Sequence, residues 1–421
     1  MTSLRTQAVS DARTVLHDLW RGGKGWILLT VSAGWFLSIG GRYLYPSVLP
    51  FLRQTFGFDL TTAGLLLSAL WFAYALGQFP GGLLGDRIGE GNILVISTAI
   101  CAAAMLLVSV SVTVWMLFLA TAAFGFGTAL YGPHRFTIFT DIYTDRAGTA
   151  VGLTMAFGSI GNTVLPAVAA AIAGYATWRL GFGFVVPLFV VMAVGIWIVV
   201  PSRTSTAASE DGDGDDGDAA GASLSAASIR RLLSTVKRGG IPTVVVVHIA
   251  LAFVSQGFLG FYPTYLIEAK GFSPQLAAVV FGLYFAAGTV VQPLTGMSKD
   301  RFGAKWTLAL LAGVFFVGLV ALQFGQTLPH FLLLTVLLSH RNGVGVVTNT
   351  YIADTLPTDI KGSGLGLLRT SWLLIGATSP ILVGYLGDLG RLTDAFVVLA
   401  GVAGVATLLT LLIPTRSEEA V

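Results

Sequence analysis

A single cysteine, Cys101, in 421 residues excludes an internal disulfide and any cluster of thiolate metal ligands. Charge is scarce as well. Asp, Glu, Lys and Arg make up 11% of the chain, against about 25% in a typical soluble domain. With 54% hydrophobic residues and a mean hydropathy of +0.80, a water-soluble globular fold is excluded. Short alternating strands are missing, which argues against an outer-membrane barrel. There is no GxxxxGK[ST] loop, and no soluble domain to hold a nucleotide. Paired carboxylates, a nucleophile constellation and a metal-ligand cluster are absent too, so neither an enzyme nor a bound cofactor is expected. Nothing points to nucleic acid.

What the chain has instead is a succession of apolar runs of about twenty residues, each long enough to cross roughly 30 Å of hydrocarbon as a helix. The pattern predicts an all-α polytopic membrane protein with twelve spans. The first run, starting near Trp26, is too long for a signal-peptide core and is read as a retained span. Lys and Arg concentrate in the N-terminal segment (Arg5, Arg13, Arg21, Lys24) and in alternate loops, including Arg87, Arg146, Arg203, Lys299, Arg301 and Lys305. The opposite loops carry only Arg53, Arg179, Lys270 and Arg391. Because basic residues favour cytoplasmic loops, both termini are expected inside a cell (plasma) membrane.

The stretch 201–240 interrupts the spans with an acidic run from Glu210 to Asp218 and then a basic piece holding Arg230, Arg231, Lys237 and Arg238. It reads as a cytoplasmic linker, acidic and solvated first, then suited to an anionic membrane surface. The expected division is a cytoplasmic segment 1–24, a six-helix bundle 25–200, the linker 201–240, a second six-helix bundle 241–414 and a cytoplasmic tail 415–421. Either side of the linker the sequence repeats. Gln78 and Gln292, Gly82 and Gly296, Asp86 and Asp300, Gly148 and Gly362, and Pro166 and Pro380 all differ by 214, while Ser38, Tyr45 and Pro46 match Ser255, Tyr262 and Pro263 at an offset of 217. Two homologous halves of this kind frame a cavity at mid-membrane, and rocking about it gives alternating access.

The loop after the second span reads Gly82-Leu83-Leu84-Gly85-Asp86-Arg87-Ile88-Gly89, and its repeat runs from Gly296 through Asp300 and Arg301 to Gly303. This GxxxDRxG pattern, present in both halves, resembles the major facilitator superfamily over essentially the whole chain apart from the N-terminal segment and linker. The resemblance implies two pseudo-symmetric six-helix bundles and a transporter whose loops control a gate. The gating residues are then Gly82, Asp86, Arg87, Gly89, Gly296, Asp300, Arg301 and Gly303, with Asp141 and Asp354 as acidic partners for Arg87 and Arg301. Span 5 lacks the glycine-proline signature of many drug exporters, and Thr121 stands where proton-coupled members commonly place an arginine. Both features argue against drug/proton antiport.

Every acidic residue falls in a loop, a tail or a span end. Four arginines lie within spans. Arg135 and Arg369 are near enough to an end to snorkel, but Arg42 and Arg341 are not. A charge at the bilayer centre costs about 2.5 kcal/mol or more unless it faces a cavity or a partner. Arg42 and Arg341 are therefore read as holding an anion through guanidinium hydrogen bonds, or, for Arg341, as bonding backbone carbonyls near Gly343 and Gly345. The run from Arg42 to Gly89 looks like the anion:cation symporter branch of the superfamily and its organophosphate exchangers, relatives that carry an arginine on the first helix.

Tyr74, Gln256, Tyr284 and His340 are chosen to complete the binding site. Because an imidazole ordinarily changes charge near neutral pH, His340, His134 and His248 are candidates for a coupling proton or for interhelical contacts. The expectation is a monomeric secondary active transporter, working by alternating access on a small organic or inorganic anion with H+ or Na+ as a possible coupling ion. The alternatives are export of neutral or hydrophobic compounds and, last, a non-transporting membrane sensor.

Overall fold

A computed structural model describes residues 18–204, 240–356 and 361–414, save the side chains of Arg21, Asp86, Lys361, Gly362 and Ser363. The acidic run, the basic piece, residues 1–17 and the tail 415–421 lie outside the described residues. After a short 3-10 turn, Arg21–Gly23, come α1 (Lys24–Arg42), α2 (Leu44–Phe56), α3 (Leu60–Ile88), α4 (Glu90–Ser109), α5 (Val114–Ile142), α6 (Ala147–Tyr175), α7 (Trp178–Gly183) and α8 (Val185–Val199). Then follow α9 (Ile241–Glu268), α10 (Pro274–Leu322), α11 (Leu328–Leu338), a 3-10 turn (Ser339–Gly343), α12 (Val344–Thr355), α13 (Lys361–Gly376), α14 (Ser379–Asp388) and α15 (Leu392–Thr410). No strand occurs among the described residues.

Several spans are broken helices. α1 and α2 form one span bent by 41°, α7 with α8 another, and α11, its 3-10 turn and α12 a third. α10 is 49 residues long, far beyond one bilayer crossing, and is divided at Gly303, where φ is 80°. Gly89, at the matching place in the first copy, has φ 92°. Both lie in backbone space that side chains rarely occupy, which is why each motif ends on glycine. Counting α10 as two crossings gives twelve spans among the described residues, the all-α architecture the sequence predicts.

The first eight helices and the last seven meet mainly where α10 packs on α6, α14 on α3, and α9 on α2. The seam is tight at the end away from the two motif loops. There the Gly384 backbone lies so close to α3 that a Cβ would sit 2.1 Å from the Leu60 carbonyl oxygen. Asp388 accepts hydrogen bonds from the Leu60 and Thr61 amides, each 2.7 Å, and from the Thr61 hydroxyl. These amides open α3 and have no helical acceptor of their own. Arg53 and Glu268 add an ion pair across the same seam.

At the motif end, the polar contacts among the described residues stay within a half. Lys24 bonds the Ile142 carbonyl at 2.8 Å and Arg146 pairs with Asp18 at 3.2 Å, while Lys299 pairs with Asp354 at 3.1 Å. The contacts among the described residues thus clamp the two halves together at the end away from the motifs, and those at the motif end join elements of one half.

Candidate substrate-binding site

Arg42 closes α1, and the break behind it follows from sequence. Pro46, four residues on, has no N–H for the Arg42 carbonyl and crowds it with its ring, so the helical ladder fails and the span turns at Tyr43. The Arg42 side chain is 4% exposed. Its guanidinium lies 4.0 Å from the Tyr74 ring centroid, 5.6 Å from that of Trp71 and 5.7 Å from that of Trp35, all within cation–π range. Its Nε and Nη2 are buried with no hydrogen-bond acceptor. Aromatic faces offset part of the desolvation of a buried cation, but they do not satisfy its N–H groups.

Arg135 does not snorkel. It is 2% exposed, its guanidinium 3.4 Å from the Trp35 centroid and 4.0 Å from that of Phe136. Its Nη1 donates to the Gly132 carbonyl, and Nε has no acceptor. Trp35 therefore touches two guanidinium groups. Arg369 is exposed and within electrostatic reach of both Arg135 and Tyr74.

In the other half, Arg341 sits in the 3-10 turn that interrupts span 10. The turn packs on α10 so closely that a Cβ on Gly343 would lie 2.2 Å from Thr295 Oγ1. Arg341 Nε donates to the Leu251 carbonyl on α9 at 3.0 Å. That backbone acceptor is on a neighbouring helix, whereas the sequence suggested the carbonyls near Gly343 and Gly345. The terminal guanidinium nitrogens have no protein acceptor among the described residues.

Tyr43 joins the two arginines. Its ring is 4.5 Å from Phe285 and 6.1 Å from Trp71, so it bridges the halves, and it interacts electrostatically with both Arg42 and Arg341. Tyr284 is fully buried, edge-on to Phe285 at 5.2 Å, and faces Arg341, Ser255 and Asn342. Arg42, Tyr74, Tyr43, Tyr284 and Arg341 thus form one group. Gln256 is half-buried under Gly376, and His340 Nδ1 lies 3.0 Å from the Leu337 carbonyl of its own turn. No contact among the described residues brings either of them to this group.

The gating residues divide similarly. Gly89 and Gly303 end the motifs with positive φ, while Gly82 and Gly296 face open space. Arg87, Asp300 and Arg301 are exposed, and the Asp86 side chain lies outside the described residues. Asp141 accepts from the Thr204 hydroxyl at 3.0 Å, and Asp354 takes Lys299. Arg301 lies over Phe302, 5.2 Å from its centroid. The Arg87–Asp141 and Arg301–Asp354 pairs expected from sequence are not formed, because nearer donors occupy both carboxylates.

Sequence reasoning gave no role to Trp35 or Asp388 and left Arg135 to snorkelling. Pro46 four residues after Arg42 is the one local signal that marks the break. Asp388 and the Leu60 amide are far apart in the chain, and no sequence signal links them.

Twelve spans around paired arginines, clamped at one end, define a multi-pass membrane transporter. The chain matches the model of the Major Facilitator Superfamily over residues 31–296 and 244–421, and it belongs to that superfamily. It is 26% identical to the probable sulfoacetate transporter SauU of Cupriavidus necator, covering 90% of this chain and 91% of that one. It is 27% identical to the glycerol-3-phosphate transporter of Bacillus subtilis, covering 69% and 70%. In structure it resembles a bacterial homologue of the human lysosomal transporter Spinster, inward-facing and occupied, with a TM-score of 0.77, 14% identity, and coverage of 93% and 96%.

Proposed function

We propose that this transporter carries a small organic or inorganic anion by alternating access, with Arg42 and Arg341 as its main ligands. One observation carries the reading: Arg42 is 4% exposed and presents two buried N–H groups to no acceptor, while the acidic residues described sit at element ends, in connections or, for Asp300, beside the Gly303 break in α10. A guanidinium held this way supplies hydrogen bonds and charge to an incoming carboxylate, sulfonate or phosphate. The relatives named for sulfoacetate and glycerol 3-phosphate move molecules bearing such groups, which supports the same chemistry here. Tyr74 and Tyr284 orient the ligand, with Gln256 and His340 as outer members of the site.

The motif loops form the gate at the cytoplasmic face of a plasma membrane, with both termini on that side, and the two bundles 25–200 and 241–414 rock about the site as a monomer. Asp86, Arg87, Asp141, Asp300, Arg301 and Asp354, with Gly82, Gly89, Gly296 and Gly303, make the contacts that exchange when that gate closes. H+ or Na+ is the coupling ion.

Binding measured by calorimetry on the purified protein tests this, with sulfoacetate, glycerol 3-phosphate, glucuronate and inorganic phosphate as probes. At least one of them binds the native protein, and Arg42→Gln and Arg341→Gln weaken it. Binding and flux untouched by both substitutions would instead indicate an exporter of neutral compounds.

A further inference from the structure

His248 lies about two turns in from the start of α9 and is 5% exposed. Its ring centroid is 4.0 Å from that of Trp372 on α13, and its Nδ1 is 2.6 Å from Thr348 Oγ1 on α12. Thr348 Oγ1 donates to the Val344 carbonyl at 2.9 Å. A hydroxyl has one hydrogen to give, so the hydrogen-bond network assigns the imidazole proton to Nδ1. Nε2 is then the basic nitrogen, and it has no protein partner among the described residues.

The charges around the ring are of one sign. The 3-10 turn preceding α12 presents Arg341, whose Nε bonds the Leu251 carbonyl one turn beyond His248 on α9. α13 carries Arg369 about one turn from Trp372, and α10 carries Tyr284 beside Arg341. The same 3-10 turn carries His340, held to its own Leu337 carbonyl, and α12 carries Tyr351 and Asp354 beyond Thr348, with Asp354 taken by Lys299. The remaining helices packed on α9 offer titratable groups only toward the clamped end: Tyr45 and Arg53 on α2, Tyr385 and Asp388 on α14, and Asp394 in the first turn of α15. No carboxylate faces the ring among the described residues.

We propose that His248 is the proton-carrying residue of this transporter, binding one proton at Nε2 together with each anion held at Arg341. The inference rests on the anion reading above and names its coupling ion. Two cations side by side in a poorly screened interior repel. An anion on Arg341 removes that repulsion and adds an attraction, so anion and proton bind cooperatively, each raising the affinity for the other by the same factor. The proton comes from water on the side to which the site is open, adds to the Nε2 lone pair without breaking a bond in the protein, and leaves with the anion when the site opens to the opposite side. Thr348 fixes the tautomer and the Trp372 face fixes the ring.

The test is calorimetry on the full chain with sulfoacetate, glycerol 3-phosphate, glucuronate and inorganic phosphate, run in two buffers of different ionisation enthalpy to count protons taken up per anion bound. Near neutral pH the wild type takes up close to one proton per anion, and over that same range its affinity falls by up to about tenfold for each unit the pH rises. His248→Asn, whose amide can still donate to Thr348, binds the anion without proton uptake and with a flat pH profile. His248→Gln, checked for monodisperse elution, gives the same outcome by a different geometry. Proton uptake that persists in both variants overturns the proposal and leaves the anion reading standing. Failure of all four anions to bind, or binding indifferent to Arg42→Gln and Arg341→Gln, overturns the anion reading and this one with it.

Discussion

The two halves repeat one sequence register, yet they hold their arginines at positions the repeat does not relate. The residue 217 beyond Arg42 is Leu259, and the residue 214 before Arg341 is Gly127. Arg42 is sealed among Trp35, Trp71 and Tyr74 with its N–H groups open. Arg341 is tethered to the Leu251 carbonyl and stands near a histidine. By contrast, Gly89 and Gly303, which do obey the repeat, adopt the same unusual backbone. What stayed symmetrical is the machinery of bending and turning. What diverged is the placement of charge: one half leaves a buried guanidinium with N–H groups that meet no acceptor, and the other ties its guanidinium to a backbone carbonyl.

The largest effect that would sharpen this contrast is at Arg42. Arg42→Gln lowers anion affinity by about 100-fold, the loss expected when a buried charged ligand of an ion is truncated. Arg42→Lys recovers only part of it, since an ammonium lacks the planar fork. Arg341→Gln, at a half-buried group already spending one N–H on the backbone, lowers affinity by about tenfold. Equal losses at the two sites would break the comparison between the halves.

The seam gives a smaller effect. Asp388→Ala frees the α3 amides that it caps, at about 1–2 kcal/mol. The clamped end then opens in a larger share of molecules, which spin-label distances across the Arg53–Glu268 pair detect. Gly384→Val, placing a side chain against the Leu60 carbonyl, opens it too.

The smallest effect is at Asp59, which caps α3 by accepting from the Thr62 amide at 2.8 Å. That bond holds its carboxyl below the usual range, so the cap is fully present above the unfolded carboxyl pKa and fades as pH falls through the lower folded value. Asp59→Ala costs about 1 kcal/mol of stability near neutral pH, and the gap from wild type narrows on acidification, as thermal unfolding at several pH values shows.

Much of the fold was legible because the bilayer imposes it. Apolar runs of spanning length, the offset of 214 and the GxxxDRxG loops each follow from local composition, and the twelve-span superfamily fold agrees with them. The site was legible in part. Arg42 and Arg341 stood out because central charges are costly, and the structure brings both to Tyr43. Gln256 and His340 were chosen by residue type and position along a span, which does not tell which way a side chain faces. The loop pairings Arg87–Asp141 and Arg301–Asp354 were inferred from charge, from position at the span ends and from the family resemblance, and in this structure Thr204 and Lys299 are the donors that meet the two carboxylates.

The sequence by itself determined that this chain crosses a membrane in two related halves, and that positive charge without a matching carboxylate lies deep inside it. Those features depend on the cost of burying groups in hydrocarbon, which each segment meets alone. Only the tertiary structure decided that Arg42 is boxed by aromatic rings, that Asp388 caps a helix from the other half, and that His248 is fixed by Thr348 near Arg341. Each of these joins residues far apart in the chain, and their contact depends on how the helices pack rather than on what any one of them contains.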